Sequence, residues 1–226
     1  MPAGTAAARR ERQDEHGTDR GRAARAHLVK AARVVFERDG YLAARVEDIV
    51  AEAQVARGSF YTYFPSKKEV FRELSADVAA EVQRAVRYKD AGIDDVFASL
   101  DESNRRFLSV YRANSAFLAL IEQVSTVDPE IHDVRLRTRQ AHVRRVERSI
   151  RRWQLAGLAD DTIDPASTAG ALVSMLSNFA YWWLAGGDEY DDELATTTLT
   201  DIWARAVGLK RDHNAPAQPT DQSAVY

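Results

Sequence analysis

No cysteine occurs among the 226 residues. That excludes thiolate nucleophiles, cysteine-ligated zinc, iron–sulfur clusters and any disulfide framework. A chain of this length can build its core without such staples. Proline (6) and glycine (11) are scarce and fall at segment ends, apart from Gly58 and Gly170. Lysine is also rare, with arginine supplying most of the 31 basic residues. The sequence has no Gly-rich phosphate loop and no G-x-S-x-G elbow. Its five histidines (His16, His27, His132, His142, His213) are scattered, so no metal or cofactor site is expected. The N-terminal 1–21 stretch has no apolar core of the signal-peptide kind, and a cytoplasmic protein is expected.

One stretch, Pro165 to Gly187, carries no charge. It is long enough to cross a bilayer. However, it contains Ser167, Thr168, Ser174, Ser177 and Asn178, and its immediate flanks are Asp164 and Asp188 rather than basic residues. A helix buried in a protein or dimer core fits better, so no membrane partner is expected. The overall charge is −3 but unevenly spread: residues 1–70 carry 13 basic and 10 acidic side chains, and the rest carries 18 and 24. A basic head on an acidic body suits a head that meets an anion.

The pattern is all-α. Apolar residues recur at i, i+3/i+4 and i+7, with no strand-type alternation and no Asn-Gly hairpin. Ser66-Lys67-Lys68-Glu69 is a capping box, and Asp128-Pro129 and Asp164-Pro165 each place a capping acid before a first-turn proline. Gly40, Gly92, Gly157, Gly186 and Gly208 sit where helices should stop. About nine helices are predicted, over 22–39, 46–53, 57–63, 66–89, 93–112, 114–125, 129–156, 165–185 and 190–207. Residues 1–21 and 212–226 read as disordered tails, 22–67 as a head, and 68–211 as a helical body.

Within the head, two short helices are joined by Gln54-Val55-Ala56, a helix-turn-helix arrangement. Ile49, Val55 and Phe60 would form its small core. The second short helix, Arg57 to Tyr63, would then turn its outer face to a DNA major groove. Arg57, Lys67 and Lys68 supply cations, Ser59 and Thr62 could reach base edges, and Gly58 lets the backbone approach closely.

Gly40-Tyr41, Asp48-Ile49, Val55, Gly58-Ser59-Phe60-Tyr61 and Tyr63-Phe64-x-Ser66-Lys67-x-Glu69 together resemble the DNA-binding head of TetR-family transcriptional regulators. The resemblance implies a homodimeric repressor that binds double-stranded DNA. It puts Arg57, Gly58, Ser59, Tyr61, Thr62, Tyr63 and Lys67 at DNA-contact positions. Three positions depart from the family pattern. Ala44-Arg45 replaces a Thr/Ser pair, so Arg45 would take over a phosphate contact. Gln54 stands where a turn glycine is usual, and Ala56 where a polar cap is usual.

A sensing repressor needs a cavity in its body for a small, largely apolar effector. Candidate walls are Phe107, Tyr111, Phe117, Ile121, Met175, Phe179 and Trp182. Asn104 and Asn178 interrupt apolar stripes; they read either as effector anchors or as internally satisfied core residues. The helices near 165–185 and 190–207 are expected to pair with their copies in a homodimer. Ala169, Gly170 and Ala171 would allow close approach there, and Trp183, Leu199, Ile202, Trp203 and Val207 would supply apolar area. The arginine run from Arg135 to Arg152 reads as a solvated face, with an anion site as the alternative. An enzyme using isolated carboxylates and a protein-binding helical adaptor are the other classes; neither would bind a duplex with steep salt dependence.

Overall fold

A computed structural model describes residues 7–86 and 95–209, with side chains from residue 19 onward. Among these residues there are helices and no strand. In chain order they are α1 (Ala7–Asp39), α2 (Val46–Glu52), α3 (Arg57–Tyr63), α4 (Lys67–Ala85), α5 (Val96–Ala113), α6 (Ser115–Ser125), α7 (Pro129–Leu155), α8 (Pro165–Leu184) and α9 (Asp192–Ala206). The expected end of the fourth helix at 89, the start of the fifth at 93, Gly92 and the 212–226 tail all lie outside the described residues.

The N-terminal expectation is corrected. α1 begins at Ala7, not near residue 22, so most of the supposed tail is helical. The reason is local: from Ala7 to Asp39 there is no proline, and Ala, Arg, Glu and Gln favour helix.

The helix ends obey the expected chemistry. Asp128 accepts from the Glu130 and Ile131 amides, and Asp164 from the Ser167 amide. Ser66 accepts from the Glu69 amide at 3.4 Å, but the Glu69 carboxylate turns to Arg72 at 2.7 Å, so only half of the capping box forms. Gln54 adopts φ +53°, the left-handed conformation expected of the missing turn glycine. For a side chain with a Cβ this costs about 1–2 kcal/mol.

Two apolar cores organise the chain. The first joins α1–α4 with α6 and the start of α7: Leu28, Val35, Phe36, Ile49, Phe60, Phe64, Val70, Phe71, Phe117, Val124 and Ile131 are all buried. The second joins α5, α7, α8 and α9 around Leu100, Phe107, Val146, Ile150, Leu176, Trp183 and Trp203. Leu118 packs against both. The helix-turn-helix head is therefore not a separate globule, because α6 and the first half of α4 complete its core.

Candidate nucleic-acid interface and effector cavity

α3 is seven residues long and is seated by one face. Phe60 and Phe64 are buried, with ring centroids 5.7 Å apart. The opposite face is open: Arg57, Gly58, Tyr61 and Thr62 are exposed, while Ser59 and Tyr63 are half-buried. The Arg57 guanidinium lies 3.0 Å from Glu47 and 5.9 Å from the Tyr61 ring centroid. The Thr62 hydroxyl donates to the Gly58 carbonyl at 3.2 Å. No side chain caps α3, as Ala56 dictates; the Ser59 amide donates to the Ala56 carbonyl at 2.9 Å. Arg45 stands exposed at the start of α2. Its backbone amide donates to Asp48 at 2.9 Å, and its guanidinium has no carboxylate partner among the described residues.

Lys67 is not placed as expected. Its ammonium donates to the carbonyls of Tyr41, Leu42 and Ala44 at 2.8, 3.2 and 2.7 Å. An ammonium has three protons, and all three are used. Partial burial lowers its pKa, which fits a positioning residue better than a solvated phosphate clamp. Lys67 thus fastens the α1–α2 loop to the base of α4. Lys67→Met should destabilise the fold by about 1–3 kcal/mol, because three carbonyls lose a charged donor. Urea unfolding checks this; an unchanged midpoint would contradict the role. Lys68 is also committed, pairing with Asp128 at 3.1 Å and Glu130 at 2.9 Å.

The body holds a cavity of about 710 Å³ between α4, α5, α6, α7 and α8. Phe107, Tyr111, Ile121, Met175, Asn178 and Trp182 line it, as the sequence suggested. Asn104, Phe117 and Phe179 do not; Phe179 stacks on Tyr190 with ring centroids 5.0 Å apart. Asn104 is buried on another face of α5, where its amide donates to the Thr200 hydroxyl of α9 at 3.1 Å. Phe117 belongs to the first core, 5.1 Å from Phe71 between ring centroids. Of the alternatives held open for Asn104, internal satisfaction is the one realised, through a side chain rather than a carbonyl.

Several lining residues escaped sequence reasoning: Gln83, Glu122, Arg135, Thr138, Arg139, His142, Ser177 and Tyr181. Arg135, Arg137, Arg139, Arg144 and Arg148 are all exposed, as the solvated-face reading expects, and Arg135 and Arg139 also border the cavity. Leu136, assigned to the apolar stripe, is exposed. The stripe facing inward is Val134, Thr138 and His142, one helical turn apart. A polar stripe facing a cavity and one facing water look alike in hydropathy. The usable signal was the i, i+4, i+8 spacing of Val134, Thr138 and His142.

His142 is 8% exposed, and its ring lies 5.9 Å from that of Phe107. Burial, with a smaller push from Arg145, lowers its pKa to about 4, so it is neutral at physiological pH. Desolvation likewise raises the Tyr111 phenol.

The expected dimer face needs revision too. Trp183, Leu199, Trp203 and Val207 are buried within their own subunit, in the second core. What α8 and α9 leave exposed is different: Ala171, Ser174, Asn178 and Trp182 on α8, and Leu194 and Ile202 on α9. No helix among the described residues is long and apolar enough to cross a membrane.

Comparison with known proteins fits this architecture. Residues 28–74 match the sequence model of bacterial regulatory proteins of the tetR family, and residues 93–183 that of the tetracyclin repressor-like C-terminal domain. The chain belongs to the TetR family. The family is one of bacterial regulatory proteins. The HTH-type transcriptional repressor DhaR of Mycobacterium sp. (strain GP1) is 35% identical over 74 residues, 32% of this chain and 37% of that protein. The regulator YfiR of Bacillus subtilis is 31% identical over 93 residues, 41% of this chain and 38% of its own length. The chain thus spans little more than a third of the curated relatives it matches. The fold is shared more widely. A TetR-family regulator from Rhodococcus sp. superposes with a TM-score of 0.65 at 21% identity, covering 81% of this chain and 98% of that one. A transcriptional regulator from Saccharomonospora viridis in complex with choline gives 0.68 at 21% identity, covering 84% and 99%.

Proposed function

We propose that this TetR-family regulator is a cytoplasmic homodimeric repressor. Two copies bind a palindromic operator through α3 and leave it when a small, largely apolar effector fills the cavity. The observation that carries this reading is the two-faced α3: Phe60 fixes it to the head, while Arg57, Gly58, Tyr61 and Thr62 stand in solvent. Recognition helices of a dimer enter successive major grooves about one helical turn apart. Arg45 and Arg57 meet phosphates, and Ser59, Tyr61, Thr62 and Tyr63 meet base edges or the backbone. The exposed stripe of α8, with Leu194 and Ile202 of α9, is the surface offered to the second copy.

The cavity reading is supported by α4. Its residues Ser75, Ala79, Val82 and Val86 form one cavity wall, and its other end begins just after α3. A bound molecule that favours a different α4 position moves the heads off their half-site spacing, to the extent of its differential affinity for the two forms.

The test uses a duplex selected by the protein from a random pool. Tyr61→Ala should weaken binding by about 10-fold or more while leaving the melting temperature near parental. Arg57→Gln should also flatten the salt dependence. Parental affinity in both variants would remove α3 from the interface.

A further inference from the structure

The cavity's lining is unevenly charged. Among the described residues it holds one carboxylate, Glu122, which Arg135 already binds at 2.6 Å. Arg139 is different. Its Nη2 donates to the Ser174 hydroxyl at 2.8 Å and the Gly170 carbonyl at 3.4 Å, both on α8, and no carboxylate pairs with it among the described residues. A guanidinium carries five N–H donors. The Nε proton and the Nη1 protons of Arg139 have no acceptor among the described residues, while α8 holds the group through Nη2 at the cavity mouth, where Arg135, Arg139, Ser174, Asn178 and Trp182 are exposed.

Three residues further along α7, on the same side, is His142. It is 92% buried, lines the cavity, and its ring nitrogens make no hydrogen bond among the described residues. A cavity-lining imidazole can donate one hydrogen bond and accept another from a molecule that enters. The apolar part of the wall is formed by Val82, Phe107, Leu118, Val134 and Val173, with neutral polar groups such as Gln83, Thr138 and Ser177 among them.

We propose that the effector is an organic carboxylate: an apolar body, aliphatic or aromatic, whose single carboxylate docks on the N–H groups of Arg139 left free by α8 and whose body carries a hydrogen-bonding group to His142. This rests on the reading of the cavity as the effector site. A cationic ligand would have to displace Arg135 from Glu122. A purely apolar one would leave both Arg139 and His142 unmatched.

The test takes the full chain and three bodies, phenylpropyl, naphthyl and decyl, each as carboxylate, primary amide and primary ammonium. Binding is followed by thermal shift and tryptophan fluorescence. At least one carboxylate should bind about 10-fold more tightly than its amide and ammonium partners. Arg139→Gln should abolish that preference, and Arg148→Gln, on the exposed side of α7, should keep it. The proposal is overturned if no carboxylate exceeds its own amide, if nothing in the panel binds, or if Arg139→Gln retains the preference. Release of the selected duplex is measured in parallel to separate the two readings. Amides or ammoniums that release DNA where carboxylates do not would sink the anion assignment and spare the effector reading. Carboxylates that bind through Arg139 without altering DNA affinity would do the reverse.

Discussion

Phe71→Ala should cost about 3–5 kcal/mol of stability, the range for emptying a buried aromatic site, and should abolish operator binding with it. Phe71 is fully buried one turn into α4. Its ring meets Phe36 of α1 at 5.2 Å, Tyr41 of the following loop at 4.7 Å and Phe117 of α6 at 5.1 Å between centroids. These four rings come from the head, the linking helix and the body, so the void could close only by moving all three. Urea unfolding followed by circular dichroism measures the loss. All four tryptophans lie in α7–α9, outside this cluster. Their fluorescence therefore reports the second core, and its midpoint should fall less than that of the helical signal. A loss below about 1 kcal/mol would mean that the site collapses around the gap and that the cluster does not couple head to body.

That cluster also explains how a molecule in the body could be felt at α3. α4 is gripped at both ends. Near its start, Lys67 holds the head loop, Lys68 holds Asp128 and Glu130 at the beginning of α7, and Phe71 sits in the aromatic cluster. Near its end, Val82 and Val86 line the cavity, and the Gln83 carbonyl accepts from Arg145 of α7 at 3.0 Å. α7 thus touches α4 on both sides of the cavity that the two helices share. On the proposed reading, a change in their spacing at the cavity would be carried along α4 to the seat of α3.

The head was the legible part of the sequence because its constraints are local. Gly40 ends α1 at φ +78°, Gln54 takes the left-handed turn, and Ile49 and Phe60 are each fully buried, as short-range spacing requires. The contacts of Lys67 were not legible because its three acceptors sit more than twenty residues earlier in a loop, and nothing in the sequence distinguishes a lysine that binds carbonyls from one that binds phosphates. The body was legible as helices and opaque as a site. Asn104 marked a polar break in an apolar stripe, but its partner Thr200 lies 96 residues away. Trp183 and Trp203 offered apolar area without showing whether their own subunit or a second one covers it. Arg139 and His142 stood among other polar residues, and only the placement of α8 opposite α7 separates them from their solvated neighbours.

His142 gives the second large effect, in the pH dependence of stability. An unfolded histidine titrates near 6.5, whereas burial in the cavity wall lowers the folded value to about 4. Arg145 adds to that depression, and the other titratable groups facing the cavity are Glu122, Arg135, Arg139, Tyr111 and Tyr181. As pH falls below 6.5 the unfolded chain takes up a proton that the folded chain refuses, so stability present above 6.5 is lost progressively towards pH 4. Between about pH 7 and about pH 4.5 the loss from this one group should be about 2–3 kcal/mol. Carboxylates held low by their partners, such as Asp128 and Glu193, weaken the fold in the same direction as they protonate at lower pH. The comparison must therefore be made against His142→Phe, whose ring can pack on Phe107 and does not titrate. Wild-type stability, measured by urea unfolding at each pH, should fall more steeply than that of the variant by this amount. Parallel profiles would show that the imidazole is hydrated in solution, and that water entering the cavity already satisfies the ring nitrogens.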